Sequence, residues 1–314
     1  MARNSKKAEK LKMINDSNKG KSAKKTTTTT TTNKKTKTNK KTKSYKKGGF
    51  VEIKPIEGMR KIIIEMLNEG MKMQHVHVPM KIDITNAQSY LREYKKKTGE
   101  RLSFTGFIIH SLAQAIDEYK IIHSYRKKGK IYIFDEVDVS TIVERKSASG
   151  LKVPVTKIIR RANYKDLPEI NNEIREAQME KLKGASLGNS KQAKKTNLMT
   201  KLPRFIRKLL WWYMRHSPKF KKDNIGTVCV TAIGMFAEGG TGWPIPIGPW
   251  SMIFVIGPID KSYKKIDGQF VEREMLNCVY TLDHGIVDGA PATRFIMKFK
   301  NILENAQSLK NLID

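Results

Sequence analysis

Thr281-Leu282-Asp283-His284-Gly285-Ile286-Val287-Asp288-Gly289-Ala290 is the stretch on which the reading of this chain turns. It closes an apolar run, Met275 to Leu282, that reads as a strand, and it leads into a helix predicted from Asp288 to about Leu309. His284 therefore stands at a strand end, where a scaffold can hold a side chain rigidly against a cleft. An imidazole titrates near neutrality, which suits it to take a proton from a thiol or a hydroxyl. On these residues alone, a structural or surface pairing of His284 with an aspartate is the alternative.

Working outward, helices are predicted over Gly58 to Asn68, from a cap at Thr85 to Lys97, from Ser103 or Thr105 to Tyr119, and over Asp166 to Lys183. Strands are predicted over Val76 to Ile84, Val137 to Glu144, Leu151 to Val155, Thr227 to Ile233 and Ser251 to Ile256. Asp267-Gly268 marks a hairpin. The elements do not alternate strictly and several strands adjoin turn signals, so the expected class is α/β with a mixed sheet flanked by helices.

The chain has 314 residues and a formal net charge of +31. Residues 1–49 carry sixteen lysines and Arg3 against Glu9 and Asp16, a net +15. With seven consecutive threonines, Thr26 to Thr32, this segment reads as a disordered basic tail. Residues 189–222 carry eleven basic residues and no acid. Those two stretches leave only +5 for the remaining chain, so a nucleic-acid reading drawn from the whole-chain charge would mislead. The domain reading is therefore a tail at 1–49 and one catalytic-type domain at 50–314, with a basic insert at about 189–222. Within the insert, helical spacing puts Leu202, Phe205, Ile206, Leu209, Leu210, Trp212 and Tyr213 on one face. Lys201, Arg204, Arg207, Lys208 and Arg215 fall opposite, with Trp211 on the basic side. Such a helix can lie on an anionic membrane or pack on protein; tail and insert could also contact nucleic acid. No run of about 18 apolar residues occurs. Two cysteines, Cys229 and Cys278, exclude a disulfide scaffold and a four-cysteine zinc site. His75 and His77 share a strand face without a third ligand in view, so packing is expected there and no metal. A reducing cytoplasm is the simplest compartment, with a peripheral position at a membrane surface as its variant.

Asp283-His284-x-x-x-Asp288-Gly289 resembles the His-x-x-x-Asp-Gly signature of coenzyme A-dependent acyltransferases. That superfamily includes chloramphenicol acetyltransferase and the acyltransferase component of 2-oxo acid dehydrogenase complexes. Gly58-Met59-Arg60-Lys61-Ile62 with Met66 is similar to the opening helix of the latter's catalytic domain. His75-Val76-His77-Val78 with Ile82-Asp83-Ile84-Thr85 is similar to its first strand. Phe134 to Ser140, Gly150 to Val155, Gly226 to Thr231 and Ile266 to Val271 follow in the same order, so the resemblance spans about 55–309.

The resemblance implies a chloramphenicol-acetyltransferase-like sheet and a homotrimer, or a larger multiple, with active sites between subunits. Coenzyme A is the implied co-substrate. His284 falls on the general base and Thr231 on a serine position that supplies an oxyanion donor. Asn277 falls where some branched-chain members carry an active-site asparagine. Asp288 is expected to pair with Arg60 and so orient the loop, and Gly289 to allow a tight turn or close packing. Gly285 replaces the arginine usual in the complex acyltransferases. No lipoyl domain is read, so the expectation is a free-standing enzyme without a covalently attached lipoyl group, served by a separate lipoyl-bearing protein or another acceptor. The competing expectation is an inactive trimeric scaffold that docks through its basic segments. A narrower one is an antibiotic-modifying acetyltransferase.

Overall fold

A computed structural model describes residues 52–56, 58–146, 152–179, 198–234 and 242–314. The tail at 1–49, the insert before residue 198 and the first residues of the Gly/Pro-rich stretch lie outside the described residues. The chain divides into two units, Met1–Pro55 and Ile56–Asp314; everything below concerns the second.

Its helices are α1 (Met59–Gly70), α2 (Thr85–Thr98), α3 (Phe104–Glu118), α4 (Leu167–Met179), α5 (Arg204–His216), α6 (Pro218–Ile225), α7 (Gly289–Asn305) and α8 (Gln307–Lys310). Its strands are β1 (His75–Asp83), β2 (Tyr125–Lys127), β3 (Lys130–Tyr132), β4 (Val139–Lys146), β5 (Lys152–Ile159), β6 (Val228–Ala232), β7 (Met252–Ile266) and β8 (Gln269–Asp283). Six strands form one sheet in the order β1-β8-β7-β6-β4-β5, and β2–β3 is a separate hairpin. β6 runs parallel to both β4 and β7, while the other pairings are antiparallel. This is the expected mixed sheet.

Composition explains which strands are central. Residues Met275 to Asp283 of β8 are buried without a break, as in a strand covered on both faces. β6 shows the division between those faces. Val228 and Val230 join the main core beneath α3 and α7, whereas Cys229 joins Trp250 and Ile253 on the other side. In the main core Phe254, Tyr280 and Phe299 meet edge to face, with ring centroids 4.9 to 5.9 Å apart. Phe299→Ala would open a cavity there and is expected to destabilise by about 3–5 kcal/mol.

The ends of the elements differ from the sequence reading in instructive ways. Ser103 caps α3 as expected, its hydroxyl accepting from the Gly106 amide at 3.3 Å. Thr85 is not a cap but the first helical residue of α2. The Asp83 carboxylate serves that end instead, accepting from the Thr85 amide and hydroxyl. β7 and β8 run far beyond the apolar segments that announced them. Their outer halves form an exposed arm around Asp267-Gly268, both at positive φ as a tight hairpin turn requires, with Phe270 76% exposed.

Two buried groups tie stability to pH. Burial drives the His123 imidazole down to about 4, although its Nε2 lies 2.8 Å from the Phe134 carbonyl. The unfolded chain therefore takes up that proton first. Stability from this site is complete above about pH 6.5 and falls as pH drops toward the folded value. Burial also opposes the charge on Asp83, yet bonds from Arg273, Thr85 and Lys264 outweigh it and hold the carboxyl well below the usual range. Its contribution persists above about pH 4 and is lost only in stronger acid. Melting temperature is expected to fall between pH 6.5 and 4, less steeply in His123→Gln. Parallel slopes for the two proteins would contradict this.

Candidate active site

The loop that carries His284 is anchored on both sides of the histidine. The Asp283 amide donates to the Ser251 carbonyl at 2.8 Å, and the His284 amide donates to the Gln74 carbonyl at 2.8 Å. The Asp283 side chain is fully buried, and its Oδ1 accepts from the Gly285 amide at 3.0 Å. Arg126, from hairpin β2–β3, brings its Nε to 3.5 Å from Asp283 Oδ2 and hydrogen-bonds Gln74 Oε1. A strand end, a buried carboxylate and a cross-chain guanidinium thus fix the backbone, while the imidazole is left exposed. His284 lies at a cavity of about 180 Å³ whose walls are otherwise mostly apolar, including Val76, Val78, Leu282 and Ile296.

Gly285 is explained by close approach. A Cβ at this position would lie 2.7 Å from Gln74 Oε1 and 2.9 Å from Arg126 Cζ. The guanidinium of Arg126 therefore fills the space beside residue 285. Gly285→Arg is expected to displace Arg126 and to lower stability by about 1–3 kcal/mol. Adding Arg126→Ala should restore part of it, whereas equal loss in single and double variants would contradict this packing account. Neither Arg126 nor Gln74 was marked as functional in the sequence. The only signal was the Lys128-Gly129 turn within a basic run, which says nothing about where its hairpin docks.

Other expected site residues do not make the contacts expected of them. Asp288 is the N-cap of α7, exposed and without a side-chain capping bond. Arg60 is exposed on α1, and no ion pair joins it to Asp288 among the described residues. The reason is visible in the packing of α1. Its Ile62 packs with Trp211 and Met214 of α5, and its Glu65 binds Arg207 at 3.0 Å and Trp211 Nε1 at 3.2 Å. The basic insert thus holds α1 from the other side. Gly289 does not need to be glycine for the chain's own packing, since a Cβ there meets nothing within 4 Å and its φ is not positive.

Thr231 and Asn277 belong to a second location. Thr231 pairs with Val255 of β7, which pairs with Val279 of β8. That is two strands across and five residues back from His284, a separation of roughly 20 Å from strand rise and spacing. The next residue, Ala232, lines a cavity of about 680 Å³ with Gly234, Ser103 and Gly257. Asn277 is buried behind this cavity, its Nδ2 donating to Pro258 O at 3.0 Å, with its Oδ1 unpartnered. Seven residues of strand put it about 23 Å from His284. One chain therefore holds the histidine and the threonine far apart.

The weaker candidates resolve as structural. His75 Nε2 lies 2.9 Å from the Trp250 carbonyl and His77 Nδ1 lies 2.9 Å from Thr281 Oγ1. No group of three or more metal-ligating side chains occurs among the described residues. Cys229 and Cys278 are buried and free, and burial pushes the Cys229 thiol up to about 12. Trp250 packs with Cys229 and Ile253, its Nε1 donating to the Ile225 carbonyl at 2.7 Å, whereas Trp243 is exposed.

The insert helix turns the other way from its predicted face. α5 buries Arg207, Trp211 and Met214. It leaves Phe205 72%, Leu209 61%, Trp212 50% and Tyr213 48% exposed. Glu65 decides the orientation, because it accepts from both Arg207 and Trp211 and so draws the mixed face inward.

Comparison with known proteins places this fold in one class. The chain matches the family described as 2-oxoacid dehydrogenases acyltransferase (catalytic domain) over residues 50–204 and 215–310, and it belongs to that family. The lipoamide acyltransferase component of the branched-chain alpha-keto acid dehydrogenase complex of Bacillus subtilis is 24% identical over 258 residues. That alignment takes in 80% of this chain and 52% of the relative. The dihydrolipoyllysine-residue acetyltransferase component of the pyruvate dehydrogenase complex of Mycoplasma capricolum is also 24% identical, over 79% of this chain and 50% of its own. The chain thus spans about half the length of the curated relatives it matches. Among solved structures, a probable dihydrolipoamide acetyltransferase from Listeria monocytogenes is 25% identical with a TM-score of 0.57, covering 82% of this chain and 95% of its own. The cubic core of a pyruvate dehydrogenase multienzyme complex shares the fold at 19% identity and a TM-score of 0.60, covering 84% and 96%. The break in the family match, 205–214, falls within α5.

Proposed function

We propose that this chain transfers acyl groups between coenzyme A and a thiol acceptor, with His284 as general base. The observation that carries the reading is the rigid, doubly anchored presentation of an exposed His284 at an apolar cavity, in a chain of this family. The imidazole takes the proton of the attacking thiol. The thiolate adds to the thioester carbonyl, and a hydrogen-bond donor holds the tetrahedral oxyanion. Collapse breaks the bond to the leaving thiolate, which recovers the proton from the imidazolium. In the direction from acyl-CoA, the leaving thiol is coenzyme A.

The donor assigned here is the Thr231 hydroxyl of a second copy, because a separation of roughly 20 Å excludes the chain's own. A cyclic homotrimer with head-to-tail contacts supplies one such pair per interface. The exposed β7–β8 arm, with Phe270 and Tyr263 in solvent, is available for such contacts. The acceptor is assigned to a protein-borne lipoyl group. Thiol release from a panel of acyl-CoAs with dihydrolipoamide tests the reading: turnover lost in His284→Ala supports it, and no turnover with any pair overturns it.

The exposed face of α5 favours a second role compatible with the first. Phe205, Leu209 and Trp212 are flanked by exposed Arg204, Lys208 and Arg215, the composition of a helix that lies at an anionic membrane surface. Sedimentation with phosphatidylglycerol vesicles should be reduced in Leu209→Glu/Trp212→Glu. Equal sedimentation of both proteins would leave the basic tail as the cause and remove this role from α5.

A further inference from the structure

We propose that a cavity of about 620 Å³ between the hairpin β2–β3, the helices α5 and α6 and the His284 loop binds a phosphorylated small molecule. This site is distinct from the cavity beside His284 and from the one that Ala232 lines, and the inference does not depend on acyl transfer.

The first argument is charge. Seven cationic side chains line the cavity against two carboxylates, Glu69 and Asp283. Both carboxylates are engaged, Glu69 by Lys72 and Arg215, and Asp283 by Arg126. Lys127, Lys128, Lys130 and Lys221 form no ion pair with any described residue. Unpaired charges of one sign on a concave, low-dielectric wall raise the local concentration of the opposite ion.

The second argument is geometry. Lys127 and Lys130 are direct cross-strand partners, held together by a two-residue turn with Lys128 and Gly129 at positive φ. Like charges directly opposite each other destabilise a hairpin. A multivalent anion removes that repulsion, and a phosphate group offers about two charges on three acceptor oxygens.

The third argument is Lys221. Its ammonium lies 3.7 Å from the centroid of the buried Tyr125 ring, whose hydroxyl donates to the Gly226 carbonyl at 2.7 Å. Burial pulls the amine down to about 7, against the raising pull of Asp283 and Glu69. The chain thus holds a half-buried lysine with no carboxylate in contact, an arrangement that an incoming anion would complete. Met73, Ile131 and Trp211 provide an apolar wall for an organic body attached to the phosphate. Trp211 lies in the segment where the family match breaks, so that part of the wall belongs to the insert.

Calorimetric titration of the full chain with pyrophosphate at low ionic strength tests the proposal. Binding is expected, weakened at least about tenfold in Lys127→Ala/Lys130→Ala and again in Lys221→Met, since charged hydrogen bonds of this kind carry about 1.5–3 kcal/mol. The hairpin variant changes no buried side chain, so it guards against misfolding of Lys221→Met. A second titration, with coenzyme A already saturating, separates the sources of the phosphate. Undiminished pyrophosphate binding supports a site for a free phosphorylated molecule. No binding, equal binding in the variants, or full displacement by coenzyme A would each overturn the proposal as stated.

Discussion

Replacing His284 by alanine is expected to lower acyl transfer by about 10²–10⁴-fold, the range that a positioned general base supplies. The change should fall on kcat with little effect on melting temperature, because the imidazole is exposed and no described residue hydrogen-bonds its ring. The loop itself is carried by backbone bonds to Ser251, Gln74 and Asp283, none of which the substitution touches. Steady-state thiol release and thermal unfolding of the same samples check both halves. Loss of fold together with activity would assign His284 a structural role instead.

Asp283→Ala carries the second large effect, and it acts through the loop. Its carboxylate is fully buried, holds the Gly285 amide, and faces Arg126. Removing it leaves that amide without its acceptor and leaves Lys221 without the nearest charge that offsets its burial. Arg126 is 41% exposed, so the ion pair itself is screened and contributes little. The unsatisfied buried groups account for a destabilisation of about 1–3 kcal/mol. Acyl transfer should drop about tenfold or more through kcat, with KM for acyl-CoA unchanged. As a positioning residue, Asp283 should be partly replaced by the conservative Asp283→Asn, whose amide oxygen still accepts from Gly285. Failure of asparagine to recover any activity would show that the charge matters beyond the loop geometry.

How far the sequence carried the reading differs from element to element. The central strands and their helices were legible because burial on both faces leaves a plain pattern, as in Met275 to Leu282 and in the run from Phe104 to Glu118. The mixed sheet followed from turn chemistry at Asp267-Gly268 and from the lack of strict alternation. Strand lengths were not legible, because the outer halves of β7 and β8 face solvent and read as polar sequence. Hydrophobic periodicity misdirected the insert: one half-buried carboxylate, Glu65, draws Arg207 and Trp211 inward. His284 was marked by its motif, whereas its supports were not. Gln74 and Arg126 lie 210 and 158 residues away along the chain, and only the tertiary fold brings them to the loop.

The most direct test of the account mixes subunits. His284→Ala and Thr231→Val proteins are each expected to be nearly inactive, the second because loss of an oxyanion donor costs about 10²–10³ in kcat. Unfolded together and refolded as mixed assemblies, they should regain about a quarter of wild-type thiol release, the share of interfaces in a ring that pair an intact histidine with an intact threonine. That recovery would place His284 of one copy beside Thr231 of the next. A mixture no more active than its two components would contradict an active site assembled from two copies of this chain.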